Sequence, residues 1–268
     1  ADKVIGHKES KGVLESRWLH GAIARNLRAT VNVNLVPSST VFEKFPGYVF
    51  DDPARRFYSD QTTIFDGKLD EEGKAEVTPD INLGENAPGV LRAYFETRVF
   101  EEGGDFSVDR FSLPYYPYTS YVGIRVPEGQ QYDMILETGK THSINFINLD
   151  ANGKKLPGKK IKVDIYKVDW RWWWDNSGSD LADFVRSSYN APVDTLTLTT
   201  ISGAASFNFK VEDADWGRYF IRATDVESGH STGKIIYVDW PNWASRTREG
   251  KEARSEERRV GKECRSRW

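Results

Sequence analysis

The sequence predicts an all-β protein made of two tandem antiparallel β-sandwiches, and three observations carry that reading. Short stretches of alternating apolar and polar residues recur along the chain, glycine and proline signals punctuate them, and one strand layout is written twice. Aromatic residues make up 13% of the chain and Thr, Val, Ile and Tyr are abundant, a composition that suits pleated, half-buried surfaces. At 268 residues there is room for two domains of ordinary size, each able to bury a core without a cofactor. No apolar run approaches the length of a membrane-crossing helix, and no basic segment followed by an apolar stretch opens the chain.

The repeat fixes the domain count. Val31, Val33 and Leu35 alternate with polar residues in ATVNVNLVP, and Ile161, Val163 and Ile165 do so 130 residues later in KKIKVDIYKVDW. Gly73, in GKLDEEGKAEV, precedes a short strand, and Gly203, in TISGAASFNFKV, repeats it at the same offset of 130. The segment around Gly89 (APGVLRAYFETRVFEEGG) corresponds to that around Gly217 (ADWGRYFIRATDVESGH) at 128, a difference that one loop change accounts for. Each unit therefore reads as several strands of five to eight residues joined by glycine turns, whose apolar faces are buried only when two sheets stack.

Boundaries follow. The first domain covers 1–121 and ends in SLPYYPYTSYVG, with Pro114 and Pro117; the second covers 122–243 and ends at YVDWPNW; 244–253 is a linker or the start of a third domain. Shifting Val122 back by 130 lands ahead of Ala1, so the first domain is expected to lack part of its opening strand. Within the long loop of the second domain, Leu181, Phe184 and Val185 share a helical face with Asp180 as N-cap, which predicts a short helix or turn in 178–189.

Residues 254–268, RSEERRVGKECRSRW, show neither strand alternation nor a helical face, and at all fifteen positions they resemble the translation of a sequencing-adapter oligonucleotide. They are set aside as non-structural. The tail holds six basic and three acidic residues, so removing its +3 takes the formal net charge from −3 to −6. That acidic body argues against a nucleic-acid partner. The tail also holds Cys264, the chain's one cysteine, which leaves the body with no disulfide, thiolate nucleophile or cysteine metal site.

Little in the body points to catalysis. His7, His20, His142 and His230 are scattered without metal-ligand spacing, and no nucleophile elbow, phosphate loop or dinucleotide fingerprint occurs. Asp70, Glu71, Glu72, Glu101 and Glu102 flank Gly73 and Gly103, as solvated hairpin loops do. Asp150, Asn152 and Gly153 superficially suggest a calcium loop, but lysines replace the later ligands, and a type I′ hairpin at Asn152-Gly153 is the better reading. The chain is thus expected not to be an enzyme, with no catalytic, cofactor-binding or metal residues. The unusual run is Asp169–Asp175, DWRWWWD: alternation sends Trp170, Trp172 and Trp174 to one face and Arg171 and Trp173 to the other. Arg171 and Trp173 are therefore the candidate contact residues, against a neighbouring domain or loop, or as an aromatic platform for a sugar or protein.

WLHGAIARNLRATVNVNLVPSSTVFEKFPGYVFDDPARRF (Trp18 to Phe57), GKLDEEGKAEV, KVDWRWWWDNSGSDLADFVRSSYN and DWGRYFIRATDVESGHSTGKIIYVDWPNW resemble large bacterial alpha-2-macroglobulin-like proteins of Bacteroidetes type, over residues 1–243. The resemblance implies fibronectin type III-like macroglobulin domains and an endopeptidase inhibitor that traps proteases by a conformational change after cleavage of a bait segment. It further implies neighbouring macroglobulin domains and target proteases as partners, no nucleic acid, and a bacterial cell envelope location, periplasmic or surface. Membrane contact would come only through a lipid anchor outside this segment. The family's Cys-x-Glu-Gln thioester is absent, since Cys264 is followed by Arg265, and no bait region is identifiable, so the reading is of a scaffold. The alternative is a carbohydrate-binding or adhesive β-sandwich module of an envelope protein, or an accessory domain pair of a polysaccharide-degrading enzyme.

Overall fold

The computed structural model describes residues 3–6, 11–78, 81, 87–127, 135–168, 181, 185 and 191–240. Within them the protein is almost wholly β. The first unit holds β1 (Val4–Ile5), β2 (Gly12–Glu15), β3 (Arg28–Pro37), β4 (Thr62–Lys68), β5 (Lys74–Val77), β6 (Leu91–Phe100) and β7 (Phe106–Tyr116). The second holds β8 (Tyr121–Arg125), β9 (Ile135–Glu137), β10 (Thr141–Leu149), β11 (Lys160–Val168), β12 (Asp194–Thr199), β13 (Ala204–Lys210), β14 (Gly217–Asp225) and β15 (Ser231–Asp239).

Both units stack a five-stranded sheet on a smaller one. The large sheets run β1-β7-β6-β3-β4 and β9-β15-β14-β11-β12; the small ones are β2-β5 and β8-β10-β13. Pairing is antiparallel except at one edge of each large sheet, where β1 lies parallel to β7 and β9 parallel to β15. Neither parallel pair is consecutive in the chain, so no hairpin joins its members and antiparallel pairing is not imposed on them.

The written repeat is a structural one, register included. Val31 pairs with Thr97 and Val33 with Phe95; 130 residues on from each β3 member and 128 from each β6 member, Ile161 pairs with Asp225 and Val163 with Ala223. Alternation along β3 sends Ala29, Val31, Val33 and Leu35 inward, and along β11 it sends Ile161, Val163 and Ile165 inward, all of them buried. Gly73 and Gly203 play one part: each has a left-handed φ (+72° and +80°), and each carbonyl accepts a hydrogen bond, from Ser16 N–H and Asn148 N–H respectively, both at 2.9 Å. A side chain there would be strained by that φ and would press on the neighbouring chain, within 2.8 Å of Ser16 O or 2.6 Å of Lys155 Cβ.

Asp70–Lys74 and Asp150–Lys154 form matching loops. In each, the aspartate carboxylate accepts from the lysine backbone N–H and the glycine N–H donates to the aspartate carbonyl. Asn152 lacks the positive φ that a type I′ turn requires, and Gly153 alone takes it (+76°), so the expected type I′ hairpin is replaced by a three-residue loop closing on a left-handed glycine. In the long loop of the second unit, Leu181 and Val185 are helical and pack on Tyr166, Val168 and Phe220; Asp180 and Phe184 of the predicted helix lie outside the described residues. No helix among the described residues is long and apolar enough to cross a membrane.

Candidate functional site: the interdomain junction

A buried polar cluster of the described residues lies where the two sandwiches meet, and it is built from two turns. The first is Asp52-Pro53-Ala54-Arg55, with aspartate leading and proline second: Arg55 N–H donates to Asp52 O at 3.1 Å and Ala54 N–H to Asp52 Oδ1 at 2.9 Å. The second joins β14 to β15, where Gly229 at φ +73° lets its N–H reach Asp225 O at 2.9 Å, while Asp225 Oδ1 accepts from Glu227 N–H and Ser228 N–H.

Charge binds the turns across the boundary. Asp52 is 1% exposed, and its Oδ2 accepts from Arg222 Nε at 2.9 Å, from Arg222 Nη2 at 2.8 Å and from the Ser231 hydroxyl, both residues of the second unit. Arg55 answers from the same turn: its guanidinium donates to Gly229 O at 2.6 Å across the boundary, and to Ala87 O and the Tyr118 hydroxyl on its own side. Two guanidinium nitrogens converging on one carboxylate oxygen, with the other oxygen taken by Ala54 N–H, are what let the Asp52 charge stay buried.

The backbone is joined as well. Val49 and Ile124 exchange both N–H···O bonds, at 2.8 and 2.9 Å, which places a residue of the first unit beside β8 of the second. Thr232 Oγ1 donates to Val49 O at 2.8 Å, and Gly233 N–H donates to Asp51 O at 3.2 Å. Gly233 is required by approach: a Cβ would stand 2.5 Å from Phe220 and 3.4 Å from Pro53. Traffic runs the other way too, because Ile147, Leu149 and Ala151 of the second unit are buried in the first unit's core beside Phe42, Phe50 and Tyr121.

His230 closes the junction from within. It is fully buried, its Nδ1 accepts from Val122 N–H at 3.0 Å, and its ring lies 5.0 Å from that of Tyr118 and 4.8 Å from that of Tyr121. Accepting at Nδ1 puts the proton on Nε2. Burial, assisted by the Arg55 charge, pushes its pKa down to about 3, so the ring is neutral. Asp225 is shifted down as well, for a different reason: burial alone would raise its pKa, but bonds from Ser120, Asn148 and the Ser228 and Glu227 N–H groups outweigh it and hold it below the usual carboxylate range.

Arg171 and Trp173, the contact residues expected from sequence, lie outside the described residues. The structure instead brings together Asp52, Arg55, Asn148, Arg222, Asp225 and His230, which sequence reasoning passed over. A signal was present in DDPARR, whose aspartate–proline turn followed by arginines is an unusual thing to hold in a loop. Of the other histidines, His20 is exposed and stacks on Trp18, and His142 Nε2 lies 2.8 Å from Glu137 O. Among the described residues no group of three or more His, Cys, Asp or Glu is placed to hold a metal ion.

Two stacked-sheet units fused through a buried ionic and aromatic joint define a multidomain scaffold of macroglobulin type. Residues 3–117 match the bacterial alpha-2-macroglobulin MG5 domain and residues 123–240 match bacterial macroglobulin domain 6, so the chain belongs to the bacterial alpha-2-macroglobulin-like proteins and carries two consecutive domains of that kind. Its fold is similar to that of trypsin-activated alpha-2-macroglobulin from Escherichia coli, with 19% identity and a TM-score of 0.55 over 90% of this chain and 16% of that one. Salmonella alpha-2-macroglobulin reacted with methylamine gives 16% identity and a TM-score of 0.49 over 90% of this chain and 16% of that one. The Yersinia pseudotuberculosis adhesin InvE gives 11% identity and a TM-score of 0.27 over 88% of this chain and 56% of that one, too low to carry an argument. No curated protein matches the chain. The chain thus spans about a sixth of the length of the macroglobulins it is similar to.

Proposed function

We propose that this chain is the load-transmitting part of an endopeptidase inhibitor of the bacterial cell envelope, which traps proteases by a conformational change and does no catalysis of its own. The supporting observation is the junction: backbone pairing, two Arg222 nitrogens on Asp52 Oδ2 and exchange of core residues in both directions tie the two domains together. A rigid pair is what a protein needs if cleavage at one place is to displace domains elsewhere. The neighbour of similar fold is described as trypsin-activated, which is the reason for choosing protease trapping over adhesion.

The test uses the parent polypeptide and trypsin. Cleavage should compact the wild-type protein and leave trypsin shielded from a large substrate but active on a small one. The Arg222→Ala variant should be cleaved at the same rate yet compact and shield less. Equal shielding by the variant, or no shielding by the wild type, would sink the proposal. The isolated chain should leave trypsin activity unchanged.

A further inference from the structure

One face of the first unit carries a charge opposite in sign to that of the chain. It is the side of the large sheet turned away from the core, where alternation places Asn34, Tyr94 and Ser112 in one cross-strand row and Asn32, Glu96 and Arg110 in the next. Arg28, Lys68, Arg92, Arg98 and Arg110 stand on this face against Asp66 and Glu96. The face is thus +3, five minus two, on a body of −6.

Its two carboxylates are already engaged. Glu96 Oε1 accepts from Arg98 Nε and Oε2 from Arg110 Nε, both at 2.8 Å, while Asp66 takes both arms of Arg28 at 3.0 and 2.8 Å. One carboxylate shared by two guanidiniums leaves positive charge to spare, and the Arg110 side chain is 71% exposed. Tyr94, 49% exposed, lies between the arginines: Arg92 is two residues along β6, about 7 Å away by strand rise, and Arg110 is its diagonal neighbour on β7. Arg92 Nη1 donates at 3.2 Å to Ser112 Oγ, on the residue paired with Tyr94. At the far end Phe100 and Phe106 pack at 5.7 Å against Arg28 and Arg98, and the acidic loop 101–105 follows, which steers an anion toward Tyr94.

The repeat indicates what kind of ligand suits this face. In the second unit the matching face is apolar and covered, with Tyr166 and Phe220 buried beside Ala54 of the first unit and Leu181. At the offsets of 130 and 128 their places are taken by Val36 and Arg92. A guanidinium where Phe220 stands resists dry burial under another domain and favours a hydrated, anionic ligand.

We infer that this face binds an anionic polysaccharide. The C–H face of a sugar ring packs on Tyr94, its carboxylates accept from Arg92 and Arg110, and Asn34 and Ser112 meet its hydroxyls. A neutral glycan leaves the arginines unused, and the acidic body repels the dense phosphate charge of nucleic acid more than the sparser charge of a polyuronate. The face shares no residue with the junction, so the inference holds whether or not the parent traps proteases.

The test measures capture of the chain on immobilised polygalacturonate, dextran and single-stranded DNA at low salt. Polygalacturonate should capture it and about 0.5 M salt should release it, while dextran should not hold it. Arg110→Ala and Tyr94→Ala should each weaken capture at least about fivefold with the thermal midpoint unchanged, and Arg17→Ala, at an exposed pair off this face, should have no effect. No capture, capture undiminished by Arg110→Ala or by Tyr94→Ala, or equal capture on dextran overturns the inference. Equal capture on DNA overturns it in favour of a nucleic acid. Capture of the chain but not of the parent polypeptide overturns it too, because another domain would then cover the face.

Discussion

Asp52 shows how much one side chain can hold. It is the sole carboxylate facing Arg222 across the boundary in the bonds described above, and truncating it would strand a partly buried guanidinium along with the Ser231 hydroxyl. Asp52→Ala should therefore cost about 3–5 kcal/mol in denaturant unfolding, the range for breaking one half of a buried ion pair. Arg17 and Glu15, an exposed pair on the surface, give the contrast: Arg17→Ala should leave the midpoint within error. His230 adds a pH dependence whose sign follows from its neutral state. Its folded pKa of about 3 lies below the usual value, so the unfolded chain binds the extra proton first. Stability is then complete above about pH 6.5 and declines by at most about 1.4 kcal/mol per pH unit as pH falls toward 3. Asp225, held low, adds its own loss only below the ordinary carboxylate range, and Asp51, raised by burial, works in the opposite sense by favouring the acid side. Urea titrations at pH 7, 5.5 and 4.5 check this. The decline should flatten in His230→Asn, and an unchanged slope would count against the buried histidine as its cause.

At the scale of elements, β8 and β15 have a double duty that explains their composition. β8 buries Val122 and Ile124 in its own unit while Tyr121 belongs to the core of the other, and Gly123 leaves room for Phe50, whose ring would lie 2.5 Å from a Cβ. A strand buried on both faces reads as a near-continuous apolar run, and YVGI is one. On β15, Gly233 admits both Phe220 and Pro53. Gly233→Val should push the Asp51–Pro53 loop off the strand, at a cost of about 1–3 kcal/mol for overpacking. Faster amide exchange at Val49 and Ile124, with β11–β12 unchanged, is the expected readout; uniform loss of protection would mean that the junction is not a separable element.

On the scale of the whole molecule, the junction merges what the repeat wrote as two. Each unit has a core of its own, but Ile147, Leu149 and Ala151 are shared into the first and Val49 into the second. Coupling of this kind predicts a single cooperative thermal transition for the chain, with calorimetric and van't Hoff enthalpies in agreement. Asp52→Ala should split it into two. Two resolved transitions in the wild type would show that the units are only tethered.

Strand periodicity and glycine spacing were legible in the sequence, because burial of one face and the left-handed φ of a turn are local demands written at fixed intervals. Val31 and Ile161, Gly73 and Gly203 were therefore matched at their offset of 130, and the kind of fold was read correctly, while the pairing register came from the structure. The junction was not legible. Asp52 meets Arg222 and Ser231 across some 170 to 180 residues, and nothing local distinguishes a carboxylate that will be buried by a distant domain from one left in water. His230 was likewise read as one scattered histidine, since only the packing of Tyr118 and Tyr121 on it decides that it stays neutral. The sequence by itself determined two sandwiches and the spacing of their repeated strands and turns; the order of strands in each sheet and the buried joint between the units were decided by the tertiary structure alone, because long-range burial sets the environment of charge and local pattern does not.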